Sequence, residues 1–185
     1  AAMRAATDPT RCLNGLIERA GRSDWYPKGV SAQFAQRRKL REEFYNRPDV
    51  GAVAFFDAKE FFSSCGHSTA AELLDGAGAP SGAVEMLVEL LGRLFRSGVG
   101  LPMGFEGSGP IANLFFGAVD RELAERRIPS LLRWTDDLDA FLRDEAAWPA
   151  VREMVEGELL AVGIMLNPDK TGVEEKGDRA AERLF

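Results

Sequence analysis

The sequence predicts an α+β protein, and two kinds of segment support that prediction. Short apolar runs, typical of buried strands, occupy residues 50–56 and lie on both sides of residues 136–137. Longer segments whose apolar residues recur three and four positions apart, typical of core-facing helices, lie between and after these runs. The resulting order is the β-α-β-β-α-β order of a ferredoxin-like domain. We therefore expect an antiparallel sheet with helices on one face and its other face free for a ligand.

The first part of the chain is predicted to be a short, basic helical arm. Residues 10–47 have a helical pattern that is interrupted at residues 25–29, and a turn signal follows at residues 46–49. From Arg19 to Arg47 eight basic residues stand against three acidic ones, although the net charge of the whole chain is −6. A basic arm on an acidic body suits phosphate contact by the arm and metal binding by the body. A solvated helix face would account for the same charges.

The remaining elements are predicted from apolar spacing and turn residues. The run 50–56 gives a buried strand that ends on Asp57, and the two runs around residues 136–137 give a tight hairpin with those residues at its tip. Amphipathic helices, whose buried stripes include Leu94 and Leu160, are predicted at residues 68–74, 81–95, 110–127 and 146–162. Gly163 is predicted to stop the last helix, and the glycine-rich segment 98–109 to be irregular. Residues 164–166 and 172–173 are candidates for a last pair of short strands.

Composition is that of an ordinary globular protein. The chain has 185 residues, of which 45% are apolar and 28% charged. No apolar run approaches the roughly 20 residues of a membrane helix, and the first residues lack the apolar centre of a secretory signal. Cys12 and Cys65 are far apart, so we expect reduced thiols rather than a zinc site. These features predict a cytoplasmic protein with no membrane partner. The predicted elements divide the chain into an arm at 1–49, a body at 50–174 and a connection at 175–185.

Three aspartates are the candidate catalytic residues. Asp57 ends a buried strand, and Asp136 and Asp137 lie at the hairpin tip. The first and third strands of a ferredoxin-like unit are neighbours, so we expect the three carboxylates to meet. Crowded carboxylates repel one another, and hard oxygen ligands without His or Cys favour Mg²⁺ or Mn²⁺. Two such ions would suit in-line phosphoryl displacement. Simple turn chemistry would also explain an Asp-Asp pair, and Asp139 is left outside the site because it lies further along the strand.

Four segments resemble, in the same order, the motifs of bacterial reverse transcriptases of the group II intron and retron kind. The first motif is Phe56-Asp-Ala-Lys-Glu-Phe-Phe-Ser-Ser-Cys-Gly-His67, and the second is Gly100-Leu-Pro-Met-Gly-Phe-Glu-Gly-Ser-Gly-Pro-Ile-Ala-Asn-Leu114. The third is Arg133-Trp-Thr-Asp-Asp-Leu-Asp-Ala-Phe141, and the fourth is Leu160-Ala-Val-Gly-Ile-Met-Leu-Asn-Pro-Asp-Lys-Thr171. Each motif is weak alone, but the ordered set across residues 50–173 is specific.

The resemblance implies the palm of an RNA-directed DNA polymerase that extends a DNA primer on an RNA template with dNTPs, in a retroelement or an antiphage defence system. It implies two Mg²⁺ or Mn²⁺ ions, with Asp57 and Asp136 as principal ligands and Asp137 on the primer side. The carbonyl of Ala58 would face a metal. Lys170 would be a general acid near the pyrophosphate, although a solvated turn lysine explains it nearly as well.

Further residues receive substrate contacts from the same resemblance. Phe62 would be the steric gate against a ribose 2′-hydroxyl, the alternative being that one of Phe61 and Phe62 is simply core. The loop that follows Gly100 would lie against the nascent base pair and the template through Leu101, Pro102, Met103 and Gly104. Independently of the resemblance, the basic charge of the arm makes Arg37, Arg38 and Lys39 the residues expected to contact nucleic acid.

The sequence also departs from the family pattern. Met103 stands where a glutamine is common, and Trp134-Thr135 stands where Tyr-Ala is usual. The N-terminal segment shows no basic β-hairpin, and the chain ends about where a thumb would begin. We therefore expect that further domains or a protein partner supply fingers and thumb, or that the chain is a minimal enzyme that makes DNA in an unusual way. Two alternatives stay open: another palm-fold nucleotidyl transferase such as a cyclase, and a non-catalytic palm that binds nucleic acid or protein.

Overall fold

The computed structural model describes residues 17–19, 22–24, 30–105, 107–126, 128 and 130–185. The strands in these ranges are β1 Ile17–Arg19, β2 Arg22–Asp24, β3 Ala52–Phe56, β4 Ser130–Trp134, β5 Asp137–Leu142 and β6 Gly172–Glu175. The α-helices in the same ranges are α1 Val30–Tyr45, α2 Phe61–Ser64, α3 His67–Gly76, α4 Ser81–Leu94, α5 Ser108–Phe115, α6 Gly117–Glu125, α7 Trp148–Ala161 and α8 Asp178–Leu184. None of the described helices is both long and apolar enough to cross a bilayer.

Strands β3 to β6 form one antiparallel sheet in the order β4-β5-β3-β6. When β3 is counted as the first strand of the unit, this order is that of a ferredoxin-like sheet. Its central pair is β3 with β5, in which Ala52 lies opposite Leu142 and Phe56 lies opposite Leu138. The predicted α+β class and strand topology are confirmed.

One face of the sheet carries the main core, as expected. Side chains alternate across a strand, so Ala52, Ala54 and Phe56 of β3 share this face with Leu138 and Ala140 of β5. They form one buried apolar cluster with residues from α2 to α7. Helices are therefore packed against this face in the manner that the sequence predicts.

The expectation that the other face stays free is wrong. Val53 and Phe55 of β3 and Phe141 of β5 form a second buried cluster with Ala180 and Leu184 of α8. Leu40, Phe44 and Tyr45 of α1 pack against the same cluster. The strands are apolar on both faces, and an uncovered face would leave these side chains in water. Helices α1 and α8 therefore cover it.

The N-terminal arm is only partly helical. Its helix begins at Val30, whereas β1 and β2 pair antiparallel with Arg19 opposite Arg22. The prediction of helix across residues 17–24 is wrong. Two residues including a glycine separate the strands in sequence, which is a common hairpin spacing. The predicted interruption at 25–29 and the helix predicted over 10–16 lie outside the described residues.

Several predicted elements differ in their details. The helix predicted over 110–127 is divided into α5 and α6 at Phe116, and residues 164–166 form no strand, since Leu166 makes only a single bridge to Ala58. Leu94 and Leu160, predicted as buried, are 57% and 60% exposed. The stop after α7 is confirmed: Gly163 has φ 80°, and the amide of Ile164 returns to the carbonyl of Leu159 at 2.9 Å.

Gly51 allows β3 to lie close to the chain that follows β5. Its amide donates to the carbonyl of Leu142 at 2.9 Å, and a Cβ at this position would lie 2.3 Å from the carbonyl oxygen of Arg143. We expect Gly51→Ala to lower the free energy of unfolding by about 1–3 kcal/mol, because backbone rather than a mobile side chain must move. Denaturant unfolding followed by circular dichroism measures the change.

Gly92→Ala is the matched control. Gly92 lies within α4, and nothing lies within 4 Å of a Cβ placed there. Alanine should stabilise this exposed helical position by up to about 1 kcal/mol. Equal effects of the two substitutions would contradict the assignment of a close approach at Gly51.

Candidate active site

The β4–β5 hairpin carries the aspartate pair, and its turn lies one residue earlier in the chain than predicted. Trp134 lies opposite Asp137, so the two turn residues are Thr135 and Asp136, whereas the sequence predicted Asp136 and Asp137. Thr135 has φ 55°, and Glu60 is the other non-glycine residue with positive φ in the described part of the chain. Thr135 is β-branched, which makes this backbone conformation unfavourable in isolation. The turn therefore needs support from its surroundings.

Asp57 lies beside this hairpin because of the register of the central strands. Phe56 faces Leu138, and one further step along both strands brings Asp57 level with Asp137. The Asp57 carboxylate accepts hydrogen bonds from Asn167 Nδ2 at 3.1 Å and from Lys170 Nζ at 3.2 Å. The fold thus brings together Asp57, Asp137 and the fourth motif.

The segment after Asp57 is fastened to the fourth motif by backbone bonds. The amide of Asn167 donates to the carbonyl of Asp57, and the amide of Lys59 donates to the carbonyl of Met165, both at 2.8 Å. Ala58 lies between these bonds, is buried, and bridges Leu166. The predicted metal-facing residue is therefore held in a short piece of sheet next to the aspartates.

The aspartates influence one another electrostatically. Burial raises the pKa of the Asp136 carboxyl, and the negative charges of Asp137 and Asp57 raise it further, while a backbone hydrogen bond and Lys170 oppose the rise. Asp136 therefore lies near both other predicted ligands. A cation placed among them would relieve this repulsion.

The second face of the sheet adds positive charge to the site. Asp137 and Asp139, two residues apart on β5, are both contacted from α1 by arginines one helical turn apart. Arg41 binds Asp139 with two hydrogen bonds of 2.8 and 3.1 Å, and it also donates to the carbonyl of Leu184. Burial raises the pKa of the Asp139 carboxyl, and Arg41 and then Arg37 oppose that rise.

The contact between Arg37 and Asp137 is looser. Both terminal nitrogens of Arg37 lie 3.3 Å from one oxygen of Asp137, and its buried Nε has no hydrogen-bond partner. The Asp137 side chain is 47% exposed, whereas that of Asp139 is 4% exposed. Arg41 therefore fastens α1 to the sheet, while Arg37 makes a weaker contact with a predicted metal ligand.

These groups line a cleft of about 260 Å³. Its charged residues balance in sign, three carboxylates against three cations: Asp57, Asp137, Asp139, Arg41, Lys170 and Arg183. The Arg183 guanidinium of α8 lies 4.2 Å from the centroid of the Phe55 ring and donates to the carbonyl of Lys170. The sequence interpretation missed Asn167, Arg41, Arg183 and Asp139. Because side chains alternate along a strand, the sequence could have predicted that Asp139 lies on the same face as Asp137.

The oxygen donors are of the kind that binds a divalent cation, but they are not grouped around a common point. Within the described residues, no three His, Cys, Asp or Glu side chains are grouped so that they could hold one metal ion. Two of the three predicted ligands are instead paired with cations of the chain, Asp57 with Lys170 and Asp137 with Arg37. Chemically the donor set fits Mg²⁺ or Mn²⁺. These two ion pairs compete with a metal for the Asp57 and Asp137 carboxylates.

The predicted substrate loop contacts the first motif through its backbone. Leu101 is buried, and its amide donates to the carbonyl of Phe62 at 2.7 Å, which joins the loop to the first motif. Phe61 is core, whereas Phe62 is half-buried, so the two phenylalanines divide as the alternatives allowed. Met103 is 82% exposed and Gly104 has φ 75°. Pro102 is half-buried, and its carbonyl accepts from the Ser108 hydroxyl.

The three basic residues predicted to contact nucleic acid differ in position. Arg37 is buried against Asp137. Arg38 is exposed beside Glu42 at 3.4 Å, and Lys39 is exposed. Arg38 and Lys39 are therefore available to a ligand in this conformation, and Arg37 is engaged within the chain.

No protein-family model matches the chain, and a search of the curated proteins gives no significant match. The likeness to bacterial reverse transcriptases accordingly rests on the four motifs and their placement in the fold.

Cys65 is expected to be chemically inert in the folded protein. It is a free, fully buried thiol, and burial followed by the charge of Asp136 raises its pKa to about 12. At pH 8 roughly one thiol in ten thousand is then ionised. We expect a Cys12→Ser variant to show almost no reaction with Ellman's reagent at pH 8 when folded, and one thiol per chain in guanidinium. Fast reaction of the folded variant would contradict the burial of Cys65.

Proposed function

We propose that this chain is the palm of an RNA-directed DNA polymerase, which transfers a nucleotidyl group from a dNTP to a primer 3′-hydroxyl. The observation that supports it most strongly is the register of β3 against β5. This register sets the aspartate of the first motif beside the aspartates of the third, in the order and topology that the four motifs require.

The oxygen donors of the site suit the same chemistry. Two Mg²⁺ or Mn²⁺ ions, when bound by Asp57, Asp136 and Asp137, would stabilise the attacking and leaving oxygens of an in-line displacement. The primer 3′-hydroxyl would give up its proton to solvent and attack the α-phosphorus, the bond to the bridging oxygen would break, and pyrophosphate would leave. Asn167, through its hydrogen bond, holds the orientation of the Asp57 carboxylate during these events.

Lys170 is the candidate general acid for the leaving group. Its hydrogen bond with Asp57, and then the charges of the aspartates, raise its pKa and so favour its protonated form. A protonated amine beside the leaving group would act as a general acid toward the pyrophosphate. Phe62 and the exposed Met103 and Gly104 would contact the sugar and base of the incoming nucleotide.

A second candidate, a non-catalytic palm that binds nucleic acid or protein, is favoured by one observation. The ion pairs of Asp57 and Asp137 neutralise the carboxylates without a metal. A palm whose aspartates serve only as partners for Lys170 and Arg37 would have this appearance. The two candidates differ in what loss of an aspartate does to nucleotide incorporation.

Primer extension by the full-length protein tests the proposal. We expect dNTP incorporation on an RNA template with Mg²⁺ or Mn²⁺, and a loss of at least about 100-fold in Asp136→Asn, because the charge that holds the metal is removed. Asp144→Asn, an exposed acid outside the cleft, is the matched control and should retain activity. Absence of incorporation on both RNA and DNA templates with either metal would exclude the polymerase and leave the non-catalytic palm.

Removing Arg37 should make the carboxylates more available to metal. We expect Arg37→Met to bind Mn²⁺ about fivefold more tightly, since one partly exposed ion pair contributes about 1 kcal/mol. Electron paramagnetic resonance of free Mn²⁺ measures the affinity.

Arg38→Met removes the same charge from the adjacent, exposed residue, and its effect on Mn²⁺ affinity should be small. Equal tightening in both variants would show a general charge effect and would rule out competition between Arg37 and the metal.

A further inference from the structure

Arg133 is a charged side chain buried on the main-core face of the sheet. It is 1% exposed, yet it belongs to β4, immediately before the hairpin that carries the aspartates. Its guanidinium lies 5.0 Å from the centroid of the Phe116 ring. A buried ion pair contributes little stability compared with apolar residues of the same size. A charge in this place therefore indicates a geometric role.

Hydrogen bonds to two helices fix the Arg133 side chain. The Asp120 carboxylate of α6 accepts hydrogen bonds from Nε at 3.1 Å and from Nη2 at 2.8 Å, which is a bidentate arginine–carboxylate pair. Nη1 donates to Asn113 Oδ1 of α5 at 2.8 Å. Arg133 is thus fixed by two helices of the main core.

The same nitrogen reaches the hairpin turn. Nη1 also donates to the carbonyl of Thr135 at 2.9 Å. Thr135 is the residue with φ 55°, a conformation that a β-branched side chain rarely adopts. Asp136 and Asp137 follow directly, so the direction of the Thr135 peptide determines where both carboxylates lie.

We propose that Arg133, held by Asp120 and Asn113, is a positioning residue that fixes the left-handed turn at Thr135 and thereby the placement of Asp136 and Asp137. The proposal rests on the proposed nucleotidyl transfer for its kinetic consequence, but not for its structural one. Arg133 itself touches neither metal nor substrate. Its effect passes through the backbone of the turn.

The kinetic test uses Arg133→Met, with Arg133→Lys as the variant that keeps the charge but cannot bridge all three partners. We expect each to lower kcat for dNTP incorporation by about 10- to 100-fold while KM for the dNTP changes less than about threefold, since misplacement by about 1 Å has effects of this size. Unchanged kcat in either folded variant would overturn the proposal.

Rescue by glycine separates positioning from general stability. Glycine adopts positive φ without strain, so Thr135→Gly added to Arg133→Met or Arg133→Lys should restore kcat at least threefold. Glu60→Gly is the matched control, because it relieves the other left-handed residue outside the hairpin. Equal restoration by Glu60→Gly would mean that Arg133 acts only through stability, and it would overturn the proposal.

Amide hydrogen exchange tests, without any catalytic assay, whether Arg133 holds the Thr135 turn. We expect Arg133→Lys to speed exchange at residues 134–137 at least tenfold and to leave α7 unchanged. Unchanged exchange at 134–137, or an equal rise in α7, would overturn the positioning role. If the wild-type protein incorporates no nucleotide, the proposed function fails, and the exchange measurement still decides whether Arg133 fixes the turn.

Discussion

The burial of β3 on both faces is the constraint on which the rest of the structure depends. Its five residues alternate between two apolar clusters, so both sides of the sheet need cover. Helices α2 to α7 supply one layer, and α1 and α8 supply the other. Since Asp57 directly follows β3, the same constraint places a carboxylate at the end of this central strand.

Covering the second face has an electrostatic consequence for the site. Helix α1 brings its apolar residues, Leu40 and Phe44, to the sheet, and its arginines follow on the same side of the helix. Arg37 and Arg41 then lie over Asp137 and Asp139. The aspartate cluster is thus compensated by cations from distant parts of the chain, and apolar packing determines which cations these are.

Much of the fold could be predicted from the sequence because its signals are local. The apolar run of β3, the stripe of α4 and the glycine after α7 are each read within a few residues, and the strand order follows from the sequence of elements. The hairpin phase was missed because threonine disfavours positive φ, so the turn was assigned to the two aspartates. Strands β1 and β2 have three residues each, too few for a period to be visible.

The candidate site could likewise be predicted only in part. The three aspartates and Lys170 could be predicted because short motifs contain them. The residues that contact them could not, since Arg37 pairs with Asp137 100 positions away. Arg133 of β4, which bonds to the hairpin turn, pairs with Asp120 on helix α6. Such pairs depend on tertiary packing, and only the spacing of Asp137 and Asp139 pointed toward one of them.

The hydrogen bond from Arg41 to Leu184 joins α1 to α8 across 143 positions of sequence. Tyr45 adds a bond to the carbonyl of Gly177, 132 positions away. These two bonds tie together the two helices of the second layer, which come from distant parts of the chain. Loosening of either helix therefore loosens the other. Separation of this layer from the sheet would uncover Asp137 and Asp139 while the β3–β5 pair stays intact.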